Sequence, residues 1–393
     1  MRSKWLIILF LFQQLTAAQS FGQAISKSKL DTLLKRAAAT HSEAVIIYKD
    51  NKIVTEKYFG IGKPGTKVET MSCTKSIVGL AVACMLSDGL IDSLDIPVSQ
   101  YYPEWKQGQK KDITLRHLVN MTTGIQNDPN ASIEIYPSPD FVQLALAAEL
   151  SSPPGKVWSY NNKSLNLMAG VIKKITGKRM DIYIGERLFR PLQIVDYTWS
   201  LDSMGNPHVM SGCQLRPADF ARIGLLLMNK GRYNNKVIIK EDKISEVTEP
   251  CKQFKGYGML WWLDYEQTIS VVDDEIISAL QKAQLPDDFI AKAIKLKGRY
   301  GSNEEYYAAV QAAFGDNPWE YINETLGAKD ARLRKKELSG KITYRADGYL
   351  GNYIIVDPGT NTVGIRMISH QSFKDNDDNF IDFGKLVLDL SKE

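Results

Sequence analysis

The chain has 393 residues, which is long enough for one large or two ordinary domains. Its formal net charge of +4 comes from 49 basic and 45 acidic residues that are interleaved, so the charge pattern does not support nucleic-acid binding. The four histidines and four cysteines show no metal-ligand spacing, so we expect no metal site. The cysteine spacings favour no disulfide pairing, and Cys73 and Cys84 are expected to be free thiols in an apolar helix.

The first 23 residues have the pattern of a secretory signal peptide. Arg2 and Lys4 precede an apolar run at 6–12 that is too short to span a bilayer, and small residues follow at positions 17, 18 and 22. We therefore expect a periplasmic or secreted protein; a buried N-terminal helix is the alternative. No later stretch approaches the roughly 20 apolar residues that a membrane helix needs, so no membrane span is expected.

Strand-like sequence occurs near both ends of the chain. Residues 44–48 and 53–59 predict one hairpin, and residues 349–356 and 362–368 predict a second. An apolar stripe at 380–390 predicts a final helix that covers a sheet. The predicted fold class is α+β: an antiparallel sheet formed by the N- and C-terminal segments, flanked by helices, with a large, mainly helical domain inserted.

Ser72 and Lys75 carry the strongest chemical signal. Apolar residues continue to residue 85, so a buried helix is predicted to start near Ser72. Positions i and i+3 lie on one face of a helix, so the Lys75 amine can reach the Ser72 hydroxyl. A lysine in a desolvated pocket has a lowered pKa and can take the serine proton. Residues 26–29 match S-x-x-K as well, but no apolar helix follows them.

Tyr160 and Asn162 form a second candidate group. They lie between the Pro154-Gly155 turn and an apolar helix predicted at 165–175, on a constrained loop of the kind that presents catalytic groups. A phenol beside an ammonium can ionise below its usual pKa of about 10, so we expect Tyr160 to act as general base and acid. Asn162 is expected to hold the lysine or the substrate amide. A tyrosine that only anchors the loop is the alternative.

Residues 266–340 differ in composition from the rest of the chain. They are rich in charged residues and alanine, and they contain helix start signals such as the capping box from Ser302 to Glu305. We predict an all-helical insertion of four or five short helices. It would divide a main domain made of residues 24–265 and 341–393.

These residues resemble the serine β-lactamase and penicillin-binding-protein superfamily, whose signatures include S-x-x-K. The closest likeness is to class C β-lactamases, family VIII esterases and 6-aminohexanoate-dimer hydrolases. The likeness covers residues 40–264 and 341–390. Beyond the two motifs, it depends on four further segments: 89–98, 113–125, 186–192 and 257–262.

The resemblance also implies a third motif, a strand that bears Lys-Thr-Gly or His-x-Gly, which corresponds to residues 346–348 here. Gly348 would let the strand approach the substrate closely, and the backbone N–H groups of Ser72 and Tyr349 would form the oxyanion hole. The basic first residue of the motif is missing, which counts against an efficient β-lactamase. The insertion directly precedes this strand, so we expect it to form a lid or pocket wall near the oxyanion hole; outer packing is the alternative.

The resemblance implies a serine hydrolase that cleaves an amide or ester bond through a Ser72 acyl-enzyme and needs no cofactor. The implied substrate is a small molecule or a short peptide, with amides first, esters second and β-lactams third. β-Lactamase or D,D-peptidase activity is one alternative. A catalytically inactive binding or regulatory protein with the same fold is another, since fold does not imply function. The oligomeric state is left open.

Overall fold

The computed structural model describes residues 24–327 and 331–392, so the predicted signal peptide lies outside the described residues. The strands of the described chain are β1 (Ala44–Lys49), β2 (Lys52–Tyr58), β3 (Val68–Glu69), β4 (Thr198–Trp199), β5 (Cys213–Leu215), β6 (Arg232–Tyr233), β7 (Lys236–Val237), β8 (Trp262–Val272), β9 (Gly298–Tyr300), β10 (Lys335–Gly348), β11 (Asn352–Asp357) and β12 (Thr362–Met367).

The α-helices are α1 (Lys27–Ala39), α2 (Cys73–Asp88), α3 (Leu115–Val119), α4 (Ala131–Glu134), α5 (Phe141–Ala147), α6 (Asn162–Leu165), α7 (Leu167–Thr176), α8 (Met180–Ile184), α9 (Pro217–Met228), α10 (Glu241–Val247), α11 (Asp274–Lys282), α12 (Asp287–Ile294), α13 (Asn303–Phe314), α14 (Pro318–Gly327) and α15 (Phe383–Asp389). A π-helical turn spans Gly185–Phe189, and short 3₁₀ helices include Tyr349–Gly351 and Asn376–Asn379. None of the helices described here is long and apolar enough to cross a membrane.

The main sheet has seven antiparallel strands in the order β2-β1-β12-β11-β10-β8-β9. Its centre joins the two ends of the chain, because β1 pairs with β12 from Ala44 opposite Met367 to Lys49 opposite Thr362. Two smaller sheets contain β3-β5-β4 and β6-β7. The α+β prediction, with a sheet built from both termini, is confirmed.

The central strands alternate between two apolar layers, as the period of two in a strand requires. Side chains such as Val45 and Tyr353 face α1 and α15, whereas Ile46 and Ile354 face the larger core that contains α2 and α9. Helix α2 has 15 of its 16 residues buried. A helix that is apolar all round must be covered on every side, and α2 lies between the sheet and the helical region, in contact with β10 and α10. The four cysteines are free and buried.

The segment at 266–340 is not helical throughout, which corrects that prediction. Strands β8 and β10 run through both predicted boundaries and pair from Arg345 opposite Trp262 to Lys335 opposite Val271. Helices α11 to α14 lie between the far ends of these strands and have a separate apolar core, which includes Leu280, Phe289 and Val310.

The hairpin of β8 and β10 also sets how far these helices lie from Gly348. Strand β10 has 14 residues, so Lys335 and Gly348 at its two ends are separated by roughly 40 Å along the strand. The expectation that the insertion emerges beside the oxyanion hole is therefore wrong, because both strands continue beyond the main core before the helices begin. The division of the chain into domains stays a prediction.

Candidate active site

Ser72 and Lys75 lie together at the start of α2. Lys75 Nζ is 2.9 Å from Ser72 Oγ and also donates a hydrogen bond of 2.6 Å to the backbone oxygen of Met210. The residue before Ser72, Met71, has a left-handed backbone with φ 49°, so the chain turns sharply into the helix. The lysine side chain is only 2% exposed. The structure thus places a buried amine in contact with a half-buried hydroxyl.

Burial lowers the pKa of Lys75 to about 7. Nearby charges such as the Asp347 carboxylate raise this pKa, but their effect is smaller. An unburied lysine has a pKa near 10.4 and is fully protonated at neutral pH. Desolvation disfavours the charged amine, so a large fraction of Lys75 is neutral at pH 7. A neutral amine can accept the proton of the adjacent hydroxyl, which makes the serine oxygen a nucleophile.

Tyr160 lies on the loop before α6, with its ring beside the lysine. Lys75 Nζ is 5.0 Å from the centre of the Tyr160 ring, and the ring stacks on Trp262 at 5.9 Å with an angle of 17° between the planes. Burial raises the pKa of Tyr160, and a hydrogen bond with Ser72 only partly opposes this rise. The expectation of a lowered phenol pKa is therefore wrong: desolvation outweighs the hydrogen bond with Ser72, and the phenol stays protonated near neutral pH.

Asn161 fixes the loop that carries Tyr160. Its side-chain oxygen caps α6 by accepting from Ser164 N at 2.8 Å, and its amide donates to Ile125 O at 2.6 Å. The next residue, Asn162, has a buried Oδ1 with no hydrogen-bond partner among the described residues. The two hydrogen bonds of Lys75 go to Ser72 and Met210, so the structure shows no hydrogen bond between Lys75 and Asn162.

Gly348 lies at the end of β10 against the nucleophile turn. A Cβ at this position would lie 2.6 Å from Thr70 O and 3.2 Å from Cys73 Sγ, so only glycine lets the strand approach this closely. The next residue, Tyr349, is 65% exposed through its side chain. Leu350, which follows it, packs with Met71 in a small apolar cluster. The backbone of Tyr349 is thus held beside the residue that precedes the nucleophile.

A charged group lies on β8 and β10 next to Trp262. Arg345 donates to Asp264 at 2.7 Å, is also bonded to Asp347, and lies 5.5 Å from the centre of the Trp262 ring. Burial raises the pKa of Asp347, and the Arg345 charge opposes this rise. Ala346, where the resemblance expects a basic residue, is buried. The neighbouring arginine is already bonded to two carboxylates and does not replace the missing cation.

Sequence reasoning missed two contacts of this site. The Met210 carbonyl that binds Lys75 is a backbone group, and no side-chain pattern identifies it. Trp262 ends one of the matching segments, and no local pattern predicts that its ring lies on Tyr160. The residues seen in the structure contain no cluster of three or more histidine, cysteine, aspartate or glutamate side chains able to hold a metal ion.

A family model described as Beta-lactamase matches residues 30–232 of the chain. Protein flp of Staphylococcus aureus (strain MW2) is 25% identical over 209 residues, which are 49% of this chain and 42% of that protein. The chain thus matches less than half the length of this relative.

Solved structures with the same fold include a Bacillus anthracis protein that carries the provisional name 6-aminohexanoate-dimer hydrolase. It has a TM-score of 0.63 and 17% identity, over 91% of this chain and 81% of that chain. An octameric penicillin-binding protein homologue from Pyrococcus abyssi has a TM-score of 0.60 and 16% identity, over 93% of this chain and 77% of that chain. At these identities the likeness concerns the fold. Together with the family match, which covers more than half of the residues, it leads to one conclusion: the chain belongs to the beta-lactamase family and has the fold of its hydrolases.

Proposed function

We propose that the protein is an exported serine hydrolase that cleaves an amide or ester bond through an acyl-enzyme on Ser72. The observation that carries the proposal is the contact of 2.9 Å between Lys75 Nζ and Ser72 Oγ, combined with a lysine pKa of about 7. An activated nucleophile needs a base within hydrogen-bond reach that is unprotonated at working pH. Lys75 meets both requirements.

In the proposed first step, neutral Lys75 takes the proton of Ser72, and Oγ attacks the substrate carbonyl. The N–H groups of Ser72 and Tyr349 would stabilise the negative oxygen that forms. The C–N or C–O bond then breaks, and the leaving group takes a proton that Tyr160 passes on from Lys75. Because its pKa is raised, the Tyr160 phenol acts as a proton donor and relay rather than as a standing base. Water then attacks the acyl-enzyme by the same groups in reverse roles.

One observation bears on the substrate. Amides and short or D-amino-acid peptides are proposed ahead of esters, as the resemblance implies. The buried Ala346 removes the cation that binds the carboxylate of penicillin-like substrates, so β-lactams rank last. A binding protein without activity is the rival from another class.

A screen of the purified protein with p-nitrophenyl esters, amino-acid anilides, D-peptides and nitrocefin tests these rankings. The proposal expects Ser72-dependent turnover of an ester or amide and weak or no turnover of nitrocefin. A fluorophosphonate label separates an enzyme from an inactive binding protein, because it reacts only with an activated serine. If Ser72 is not labelled and no substrate of the panel is turned over, the proposal fails and the rival is favoured.

Export is the second part of the proposal and depends on residues 1–23. Expression of the full chain followed by fractionation and intact-mass measurement tests it. The proposal expects a mature N-terminus near residue 24 in the periplasm or the medium. A full-length protein in the cytoplasmic fraction would contradict export and leave the chemistry untouched.

A further inference from the structure

The turn that follows Gly348 is strained. Leu350 has φ 70° and ψ 0°, in the left-handed region that side chains rarely adopt. Met71 on the facing turn has φ 49°, and both side chains pack in the same small cluster with Ile368. A strained backbone persists only where its surroundings hold it in place. Two buried polar side chains provide that support.

Asn352 is the first of these side chains and is fully buried. Its Nδ2 donates to Tyr349 O at 3.1 Å and to Ile368 O at 3.1 Å, and its Oδ1 accepts from Ile368 N at 2.9 Å. The amide therefore fixes the carbonyl of Tyr349 to the residue that follows β12.

Arg366 is the second, and it is also fully buried. Its Nη1 donates to Leu350 O at 3.1 Å and to Gly351 O at 2.7 Å. On its other side Nη2 donates to Thr40 O and Asp378 O, and Nε donates to Ser42 Oγ, each at 2.7 Å. Burial lowers the pKa of Arg366 to about 10, so the guanidinium stays charged at neutral pH. All five N–H donors of an arginine thus have oxygen partners.

These contacts hold every carbonyl of the turn from Tyr349 to Gly351. Gly351 is part of the same arrangement, since a Cβ there would lie 2.4 Å from Arg366 Nη1. The Tyr349 N–H belongs to the preceding peptide plane, which joins Gly348 to Tyr349. That plane lies between Gly348, which pairs opposite Asn352 in the sheet, and a turn whose three carbonyls are fixed, so the direction of the Tyr349 N–H is restricted as well.

We infer that Asn352 and Arg366 are positioning residues for the oxyanion hole: they hold the Tyr349 N–H towards the carbonyl oxygen of a substrate on Ser72. The inference rests on the proposed function, in which this N–H stabilises the transition state. Removing one donor of an oxyanion hole lowers the rate by about 10²–10³. A donor that is present but loosely held should cost less, on the order of tenfold.

Asn352→Ala tests the inference, with Ser42→Ala as the matched control. The control removes one partner of the Arg366 guanidinium on the side away from the turn. Both variants are compared with the wild type by thermal unfolding and by kcat and KM for a p-nitrophenyl ester and the matching thionoester. Sulfur accepts hydrogen bonds poorly, so the ratio of the ester rate to the thionoester rate measures how strongly the oxyanion hole stabilises the carbonyl oxygen. A general loss of stability does not change this ratio.

We expect Asn352→Ala to lower kcat for the ester at least tenfold with KM nearly unchanged, and to lower the ester-to-thionoester ratio. Ser42→Ala should keep both kcat and the ratio even where it lowers Tm. If Asn352→Ala does not fold, Arg366→Lys is measured in its place. This variant keeps the charge but has three donors instead of five, and it should also lower the ester-to-thionoester ratio. A folded variant with an unchanged ratio overturns the inference. The proposed function fails separately, if Ser72→Ala keeps the wild-type rate.

Discussion

Lys75 should give acylation a pH dependence with a midpoint near 7. The perturbation is a change of pH from 5 to 9, which titrates the amine whose pKa burial lowers to about 7. At pH 7 about half of the molecules then hold a neutral Lys75, whereas an ordinary lysine is neutral in about one molecule in 2,500. Burial therefore raises the amount of available base by on the order of a thousandfold. Below pH 6 the rate should fall about tenfold per pH unit, because the base becomes protonated.

The assay is single-turnover acylation with a p-nitrophenyl ester at constant ionic strength, followed at a wavelength where nitrophenol and nitrophenolate absorb equally. Tyr160→Phe is the control. Because burial raises the pKa of Tyr160, this variant should have a lower plateau and the same midpoint. A flat profile between pH 5.5 and 8.5 would show that Lys75 is not the base, and so would a midpoint that shifts in Tyr160→Phe.

Three further predictions follow from the same contacts. Lys75→Met should gain stability relative to the wild type as the pH falls. The pKa of Lys75 is depressed in the folded state, so the wild type becomes more stable as pH rises from about 7 to 10.5. Between pH 6 and pH 10, the difference in unfolding free energy between the two proteins, measured with urea, should change by about 4 kcal/mol. Gly348→Ala should lower kcat/KM on the order of a hundredfold in a protein that still folds, because the added Cβ would clash with Thr70 O. An unchanged kcat/KM would show that strand β10 can move away from Thr70 without loss of activity. Replacing residues 273–334 with a short turn should change kcat/KM by less than about threefold, both for a small ester and for a bulky amide, because these helices lie far from Gly348 along the hairpin. A loss of activity on the amide alone would show that the helices act as a lid.

Local patterns predicted the fold well. The alternating runs at both ends gave the sheet, because one face of each strand must meet an apolar layer. The apolar run after Lys75 predicted a buried helix, and the structure shows α2 covered on nearly every side. The closeness of Ser72 and Lys75 could be predicted because it depends only on helical spacing. Their chemical roles stay predictions.

The features that sequence reasoning missed depend on contacts between distant parts of the chain. Trp262 lies on Tyr160 from about a hundred residues further along the chain, so the burial that raises the pKa of the phenol could not be predicted. Arg366 looks like an exposed charge in a strand, and only the folded chain supplies its oxygen partners. The outer part of β10 is polar on both faces apart from Leu338, so it lacks the alternation that marks a strand, and its pairing with β8 could not be predicted.

The location of a covalent adduct tests most directly whether Ser72 is the nucleophile. The protein is treated with a fluorophosphonate, digested with trypsin and sequenced by tandem mass spectrometry, with Ser72→Ala as the control. Cleavage after Lys67 and Lys75 gives a peptide of residues 68–75 in which Ser72 is the one serine. We predict a single adduct on Ser72 that is absent from the variant. An adduct on Ser76 or elsewhere, or labelling that persists in Ser72→Ala, would contradict it.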